Sequence, residues 1–231
     1  MQNDHVKSAQ QLALMRRAAA VTDDVYDHIL ACVCEGVTED ELAREILSKT
    51  VALGAEGVSF DTIVAFGESG AEPHHVPTDK RLERGMLVTI DMGAVVGGFC
   101  SDFTRTFAFG DIDEEQRRIY DIVYEAQRLG VAAVRAGVGC RAADAVTRDF
   151  IAAAGYGECY IHGTGHGVGR EIHEPPTLNP KSEETLLAGQ VVTVEPGIYI
   201  PGRMGVRIED MVLVGEDRPF SRHNTELLTL R

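Results

Sequence analysis

The 231-residue sequence predicts an α+β fold made of two related halves that share one central antiparallel sheet. Two observations carry this. The segments RGMLVTIDMG (84–93) and AGQVVTVEPG (188–197) align without a gap at an offset of 104 residues, with Gly85 on Gly189, Val88 on Val192, Thr89 on Thr193, Asp91 on Glu195 and Gly93 on Gly197. Each is followed by a second strand-like run, FCSDFTRTFAFG (99–110) and GVRIEDMVLVG (205–215), and each is preceded by two helical stretches. The simplest arrangement is a pseudo-two-fold pair of strand hairpins in one sheet, helices outside.

The elements follow in order. Residues 8–35 and 39–54 read as the helices of the first half, and 114–135 and 141–154 as those of the second. Thr38 and Glu41 have capping-box spacing, which sets a helix start. EGVTEDELA and AGVGCRAAD take matching places, each with a Gly-Val pair between its two helices. The strand runs are rich in Val, Ile and Leu and end on an acid and a turn glycine. The repeat spans roughly 8–110 and 114–215, and no low-complexity segment or linker interrupts it, so residues 1–231 are expected to form a single domain.

Composition narrows the function. The chain is 44% hydrophobic and 25% charged, ordinary values for a chain with a real core. No run of about 18 apolar residues suggests a membrane span, and MQNDHVKSAQQ has no apolar leader core. Five cysteines, with only Cys32 and Cys34 close together as C-V-C, match neither a zinc nor a redox spacing. Reduced thiols, acting as small buried hydrophobes in a cytoplasmic protein, are the expectation. A net charge of −14 disfavours nucleic acid and favours cations and ammonium groups.

The densest chemistry lies in HGTGHGVGREIHEPP (162–176). His162, His166 and His173 stand among glycines 163, 165, 167 and 169, which argue against a helix. Glycines so placed suit a strand or turn that another backbone approaches closely. The zinc-protease pattern is missing, because Gly163 and not Glu follows the first histidine. Metal ligands must then come from elsewhere, and the repeat supplies them: Asp91, Asp102, Glu195 and Glu209 lie on adjoining strands among apolar neighbours. Burying four carboxylates together is costly unless a cation joins them. Four carboxylates and an imidazole suit a pair of ions in the Mn/Fe/Co/Zn range.

The ordered motifs IDMG, SDFTRTF, HGTGHGVGREIHEPP, VEPGIY and GVRIED resemble those of the pita-bread metallopeptidases, and are most similar to the Xaa-Pro aminopeptidase and Xaa-Pro dipeptidase (prolidase) branch. The resemblance covers nearly the whole chain. It implies a pita-bread fold with a curved central antiparallel sheet and outer helices. It also implies two divalent metal ions, Mn first with Co, Zn or Fe acceptable, held by Asp91, Asp102, His166, Glu195 and Glu209. Asp102 and Glu209 would bridge both ions, His166 and Glu195 would complete one, and Asp91 the other. His74, favoured over the adjacent His75 on spacing, His173, Glu195 and Arg207 take catalytic roles, and His162 a substrate-binding one.

The implied activity is hydrolysis of the N-terminal Xaa-Pro bond of dipeptides or short peptides by a metal-bridging hydroxide, with Glu195 accepting its proton and the substrate amine near Asp91. Methionine aminopeptidase is the enzyme alternative, argued against by SDFTRTF and GVRIED; an inert binding module of the same fold ranks lower, because no ligand position is lost. Short peptides are the expected partners, with neither nucleic acid nor membrane, and the chain is a monomer or homodimer. The N-terminal creatinase-like domain usual in this branch is expected to be absent. Arg207 has a second reading, as the partner of a carboxylate. Tyr199 is read as core or as a wall of the site, and His5, His28 and His223 as surface or packing residues.

Overall fold

The computed structural model describes residues 5–231; residues 1–4, part of the stretch read for a leader, lie outside the described residues. The first half comprises α1 (Ala9–Cys32), α2 (Glu39–Ala52), β1 (Gly57–Val58), β2 (Ile63–Phe66), β3 (Met86–Met92), β4 (Ala94–Val96), β5 (Phe99–Cys100) and β6 (Phe103–Phe109). The second comprises α3 (Glu114–Ala133), α4 (Cys140–Ala153), β7 (Gly165–Gly167), β8 (Glu174–Leu178), β9 (Val191–Val194), β10 (Gly197–Ile200), β11 (Met204–Arg207), β12 (Glu209–Leu213) and a C-terminal β13 (Thr229–Leu230). All four helices fall where the sequence placed them.

Local chemistry explains the helix starts. The expected capping box forms: Thr38 Oγ1 accepts from Glu41 N at 3.1 Å, and Glu41 Oε2 accepts from Thr38 N at 2.9 Å. Ser8 with Gln11 and Asp113 with Gln116 cap α1 and α3 in the same reciprocal way. The Gly-Val connections are equivalent in detail. Gly36 N donates to Leu82 O and Gly137 N to Leu186 O, while Leu82 N returns to Val37 O and Leu186 N to Val138 O. Gly36 and Gly137 both adopt positive φ, 86° and 87°, which glycine reaches without strain.

The main sheet runs β2-β3-β6-β12-β9-β7-β8, with β13 added beside β6. The two predicted hairpins, β3 with β6 and β9 with β12, meet where β6 pairs antiparallel with β12. That junction carries the pseudo-two-fold. Apolar side chains fill both faces: Tyr26, Ile29, Leu42 and Ile46 of α1 and α2 cover Val88, Ile90 and Phe107 on one side. Ile119, Tyr120 and Val123 of α3 cover Leu87 and Ala108 on the other. Each fully buried Leu, Ile or Phe is worth about 1.5–3 kcal/mol, so the sheet is clamped between its helices.

Two expectations are corrected. The runs 99–110 and 205–215 are each two strands. β5 pairs with β4 in a small sheet while β6 pairs with β3, and β11 pairs with β10 while β12 joins the main sheet. Asp102 sits at the first of these breaks, and the second falls at Ile208 between Arg207 and Glu209, so those two residues do not share a strand. The cysteines are also not uniformly buried: Cys100 and Cys140 are, Cys32 and Cys159 are half-buried, and Cys34 is exposed. No helix among the described residues is long and apolar enough to cross a membrane.

Candidate metal centre

A cavity of about 610 Å³ opens at the sheet junction, and its wall includes every candidate site residue predicted from sequence. The register explains the convergence. Ile63, Asp91, Thr104 and Glu209 are successive partners across β2, β3, β6 and β12, so Asp91 and Glu209 flank the central Thr104 in one row. Asp102 enters from the break before β6, and Glu195 from the residue after β9. Asp91, Asp102 and Glu209 are 8%, 7% and 2% exposed.

The histidine run enters from β7. His166 Nε2 stands 3.3 Å from Glu195 Oε1 and 3.5 Å from Asp102 Oδ2. One donor atom from each of Asp102, His166 and Glu209 lies within 4.8 Å of the others. His166 Nδ1 donates to Gly167 O at 3.0 Å, which aims Nε2 at the carboxylates. That backbone anchor is the usual way a metal-binding imidazole is oriented.

The glycines of this run serve close approach, as expected, and none of the four has positive φ. A Cβ on Gly165 would lie 2.0 Å from Thr193 O, and one on Gly167 would lie 2.4 Å from Pro175 O. Both contacts are with backbone, so relief requires moving a strand. Gly165→Ala is therefore expected to push β7 off β9, destabilising the fold by about 1–3 kcal/mol and displacing His166. Thermal melts together with metal affinity check this; an unchanged variant in both would contradict the packing described.

Electrostatics show why the cluster needs a cation. Burial pushes the Asp102 and Glu209 carboxyls well above the usual range, and neighbouring acids add to it, Asp91 for Asp102 and Asp102 for Glu209. Burial also raises Asp91, partly offset by Arg207. Glu195 differs: burial pushes it up, but the hydrogen bond and charge of His166 reverse this and hold it at about 2. Burial depresses His166, but the same partner overrides it and holds the imidazole at about 9.

Arg207 offsets one of the four acids, and His166, cationic without metal, a second. Arg207 Nη2 donates to Asp91 Oδ2 at 2.6 Å, while Asp91 Oδ1 is buried without a hydrogen-bond partner among the described residues. A set of oxygens with one imidazole, an orphaned carboxylate oxygen and excess buried negative charge fits divalent cations of the manganese-to-zinc range.

Arg207 thus takes its carboxylate-partner reading, and it does more. Its Nη1 donates to Tyr199 Oη at 2.9 Å, and Tyr199 lies 2.8 Å from His162 Nε2. His162 Nδ1 donates to Gly163 O, so Nε2 accepts the tyrosine proton. Burial lowers His162, in keeping with a neutral ring. Tyr199 is therefore a core residue that stands behind the cavity wall and joins Arg207 to His162.

His74 and His75 both line the cavity, and they differ in how they are anchored. His75 Nε2 is bound to buried Glu39 at 2.8 Å, which also accepts from Phe66 N and Thr78 N. His74 faces the cavity without a hydrogen bond among the described residues. His173 packs edge-on against His166 at 4.3 Å between ring centres. Burial lowers its pKa first, and the charge of His166 adds to it. His223 is a packing residue, edge-on to Tyr26 at 4.9 Å.

Three supporting residues escaped the sequence reading. Thr104 Oγ1 donates to Glu209 Oε2 at 2.6 Å and accepts from Arg207 Nε. Thr193 Oγ1 donates to Glu195 Oε1 and accepts from His166 N, both at 3.0 Å. Asp144 on α4 accepts from Thr164 N and is gripped by Arg148, which also holds His162 O, so α4 anchors the start of the histidine run. The signal for Thr193 was present, since Thr89 and Thr193 are equivalent in the repeat.

Comparison with known proteins places this geometry. Residues 13–216 match the model of metallopeptidase family M24. A Xaa-Pro dipeptidase of Pyrococcus furiosus is 44% identical over 229 residues, covering 96% of this chain and 65% of that protein. The solved structure of a Xaa-Pro dipeptidase from Bacillus anthracis superposes with a TM-score of 0.96 at 44% identity, over 98% of this chain and 64% of its own. An X-Pro aminopeptidase from Thermotoga maritima gives 0.94 at 35% identity, over 98% and 65%. The chain thus spans a little under two thirds of the proteins it resembles, and it has the pita-bread fold they share. On the match of its motifs, its sheet and its carboxylate-lined cavity, the chain belongs to metallopeptidase family M24.

Proposed function

We propose that the chain acts as one catalytic unit that hydrolyses the N-terminal Xaa-Pro bond of dipeptides or short peptides, with two divalent ions held by Asp91, Asp102, His166, Glu195 and Glu209. The observation that carries this reading is the convergence of Asp102, His166 and Glu209 donor atoms within 4.8 Å, inside a peptide-sized cavity. The names of the relatives support the substrate class. Asp102, Glu209, His166, Glu195 and Asp91 would together hold the ions. Mn²⁺ is the first choice of ion. Bound there, such ions polarise a carbonyl oxygen and acidify water toward neutral pH.

The chain's own residues do the rest. The Glu195 carboxylate, oriented by the Thr193 hydroxyl, accepts a proton. His74 and His173 face the cavity and donate hydrogen bonds to the developing oxyanion or the departing nitrogen. Arg207 fixes Asp91 and, through Tyr199, His162, so that the site arrives at the reaction already ordered. The substrate's free amine meets the Asp91 end, which makes the activity that of an exopeptidase. Phe60, Ile63, Val76, Pro77 and Ile172 give the cavity an apolar wall. A proline ring packs there, and its tertiary amide offers no N–H for the site to read. The net charge of −14 supports peptides over nucleic acid as partners.

The test is release of the first residue from Ala-Pro, Ala-Pro-Ala and Met-Ala-Ser by chelator-treated protein with and without Mn²⁺. Metal-dependent cleavage of a proline substrate is the expected result, and the dipeptide-to-tripeptide ratio names the subclass. Cleavage of Met-Ala-Ser alone would move the activity to methionine aminopeptidase. No cleavage by metal-loaded protein would refute the proline reading for this chain.

A further inference from the structure

Away from the central cavity, α1 and α2 bring three unlike ligand groups to one point. His28 and Cys32 lie one turn apart on α1, on the same face by their i, i+4 spacing. Glu45 reaches them from α2. His28 Nε2 is 2.6 Å from Glu45 Oε1 and 3.6 Å from Cys32 Sγ, and one donor atom from each residue lies within 4.8 Å of the others. Zn–S and Zn–N bonds of about 2.3 and 2.0–2.1 Å at a tetrahedral angle place sulfur and nitrogen about 3.6 Å apart. The Cys32–His28 spacing already has that value. On the His28–Glu45 edge the glutamate must open by about 0.7 Å, to a tetrahedral N–O edge of about 3.3 Å. It is a half-exposed side chain free to do so, with side-chain exposures of 32% for His28 and 45% for Glu45.

We propose that His28, Cys32 and Glu45 form a second, inter-helix site for a divalent ion of the zinc type, which clamps α1 to α2. Imidazole, thiolate and carboxylate together match a borderline-soft cation. Three protein ligands and partial exposure leave the fourth position to water. The C-V-C pair is not the relevant spacing; the ligand histidine lies four residues before Cys32. Burial and then the charge of Glu45 push the Cys32 thiol up, with Lys49 acting in the opposite sense. A divalent cation between thiol and carboxylate turns that repulsion into shared coordination. The site shares no residue with the central cluster and does not depend on the peptidase reading. Its consequence reaches the cavity, because α2 carries Glu39, whose carboxylate holds His75 and Thr78 on the rim.

The central cluster contains no sulfur ligand, and this makes the test selective. The 231-residue chain loaded with Mn²⁺ is titrated with Co²⁺ as the zinc probe, following the thiolate-to-cobalt charge-transfer absorption. The band is expected to appear, to be abolished in Cys32→Ser and to survive in Cys34→Ser. It should also weaken in apparent affinity by about tenfold or more in His28→Ala and Glu45→Gln. Excess Zn²⁺ should remove it, since zinc binds such sites more tightly. Absence of the band, a band that follows Cys34, or undiminished affinity in His28→Ala would each overturn the site. His28 and Glu45 are part-exposed, so their variants keep the test decisive if Cys32→Ser does not fold.

Discussion

Asp102→Asn is expected to lower kcat/KM toward a proline dipeptide by roughly 10³-fold or more while the protein stays folded. Several kcal/mol of transition-state charge stabilisation depend on the ions, and each 1.4 kcal/mol or so is a factor of ten. Asp102 is 7% exposed and lies 3.5 Å from His166 Nε2, so its amide isostere keeps shape and loses the anion. Burial holds the Asp102 carboxyl well above its usual range. A group raised in this way favours folding below its unfolded pKa and loses that contribution as pH rises through the folded value. At neutral pH, chelated Asp102→Asn should therefore melt at or above chelated wild type. Turnover, bound metal and melting temperature measured together check this. Unaltered turnover with full metal content would remove Asp102 from the ligand set.

Arg105→Leu carries the largest expected loss of stability. Arg105 is 2% exposed, and its Nη2 donates to Asp210 Oδ1 at 2.8 Å. The same guanidinium donates to Glu209 O and to His223 O and Asn224 O of the C-terminal segment, and it lies 4.3 Å over the Phe103 ring. Removing it strands Asp210, to which only Gln127 then donates among the described residues, and frees several carbonyls. Breaking a buried pair from one side costs about 3–5 kcal/mol, which for a chain of this size lowers the melting temperature on the order of 10 °C. Arg105→Leu/Asp210→Leu should recover part of the loss, because no lone charge remains. Melts at fixed Mn²⁺ are required, since bound metal itself stabilises the fold. A single variant within about 1 kcal/mol of wild type would contradict this account.

Much of this was legible because the repeat and the glycines carry geometry. Asp91 and Glu195 were matched by alignment alone, and their strands do lie across the pseudo-two-fold. Glycines 163, 165, 167 and 169 announced close backbone contact, and atoms lie less than 3 Å from where each Cβ would stand. The capping box at Thr38 fixed a helix start to the residue. What stayed hidden is what depends on neighbours far along the chain. Hydrophobic runs through 99–110 and 205–215 give no sign that the chain changes sheets at Asp102 and Ile208, because either strand partner is equally apolar. Thr104 looks like any strand threonine until the register puts it between Asp91 and Glu209. That His75 is tied down while its neighbour His74 is not depends on Glu39, more than thirty residues earlier. The partial exposure of Cys32, and the approach of Glu45 to it, likewise follow from helix packing.

Asp91, Asp102, Glu195 and Glu209 of the paired hairpins, with His166 of β7, are proposed to hold two metal ions. Equilibrium dialysis of the chelator-stripped chain against Mn²⁺ tests it most directly, because Mn²⁺ favours carboxylate oxygens over thiolate and so reports the central cluster rather than Cys32. Two Mn²⁺ retained per chain are expected, falling in Glu209→Gln. A chain that retains no Mn²⁺, or a Glu209→Gln variant that binds it as wild type does, would contradict the proposed ligand set.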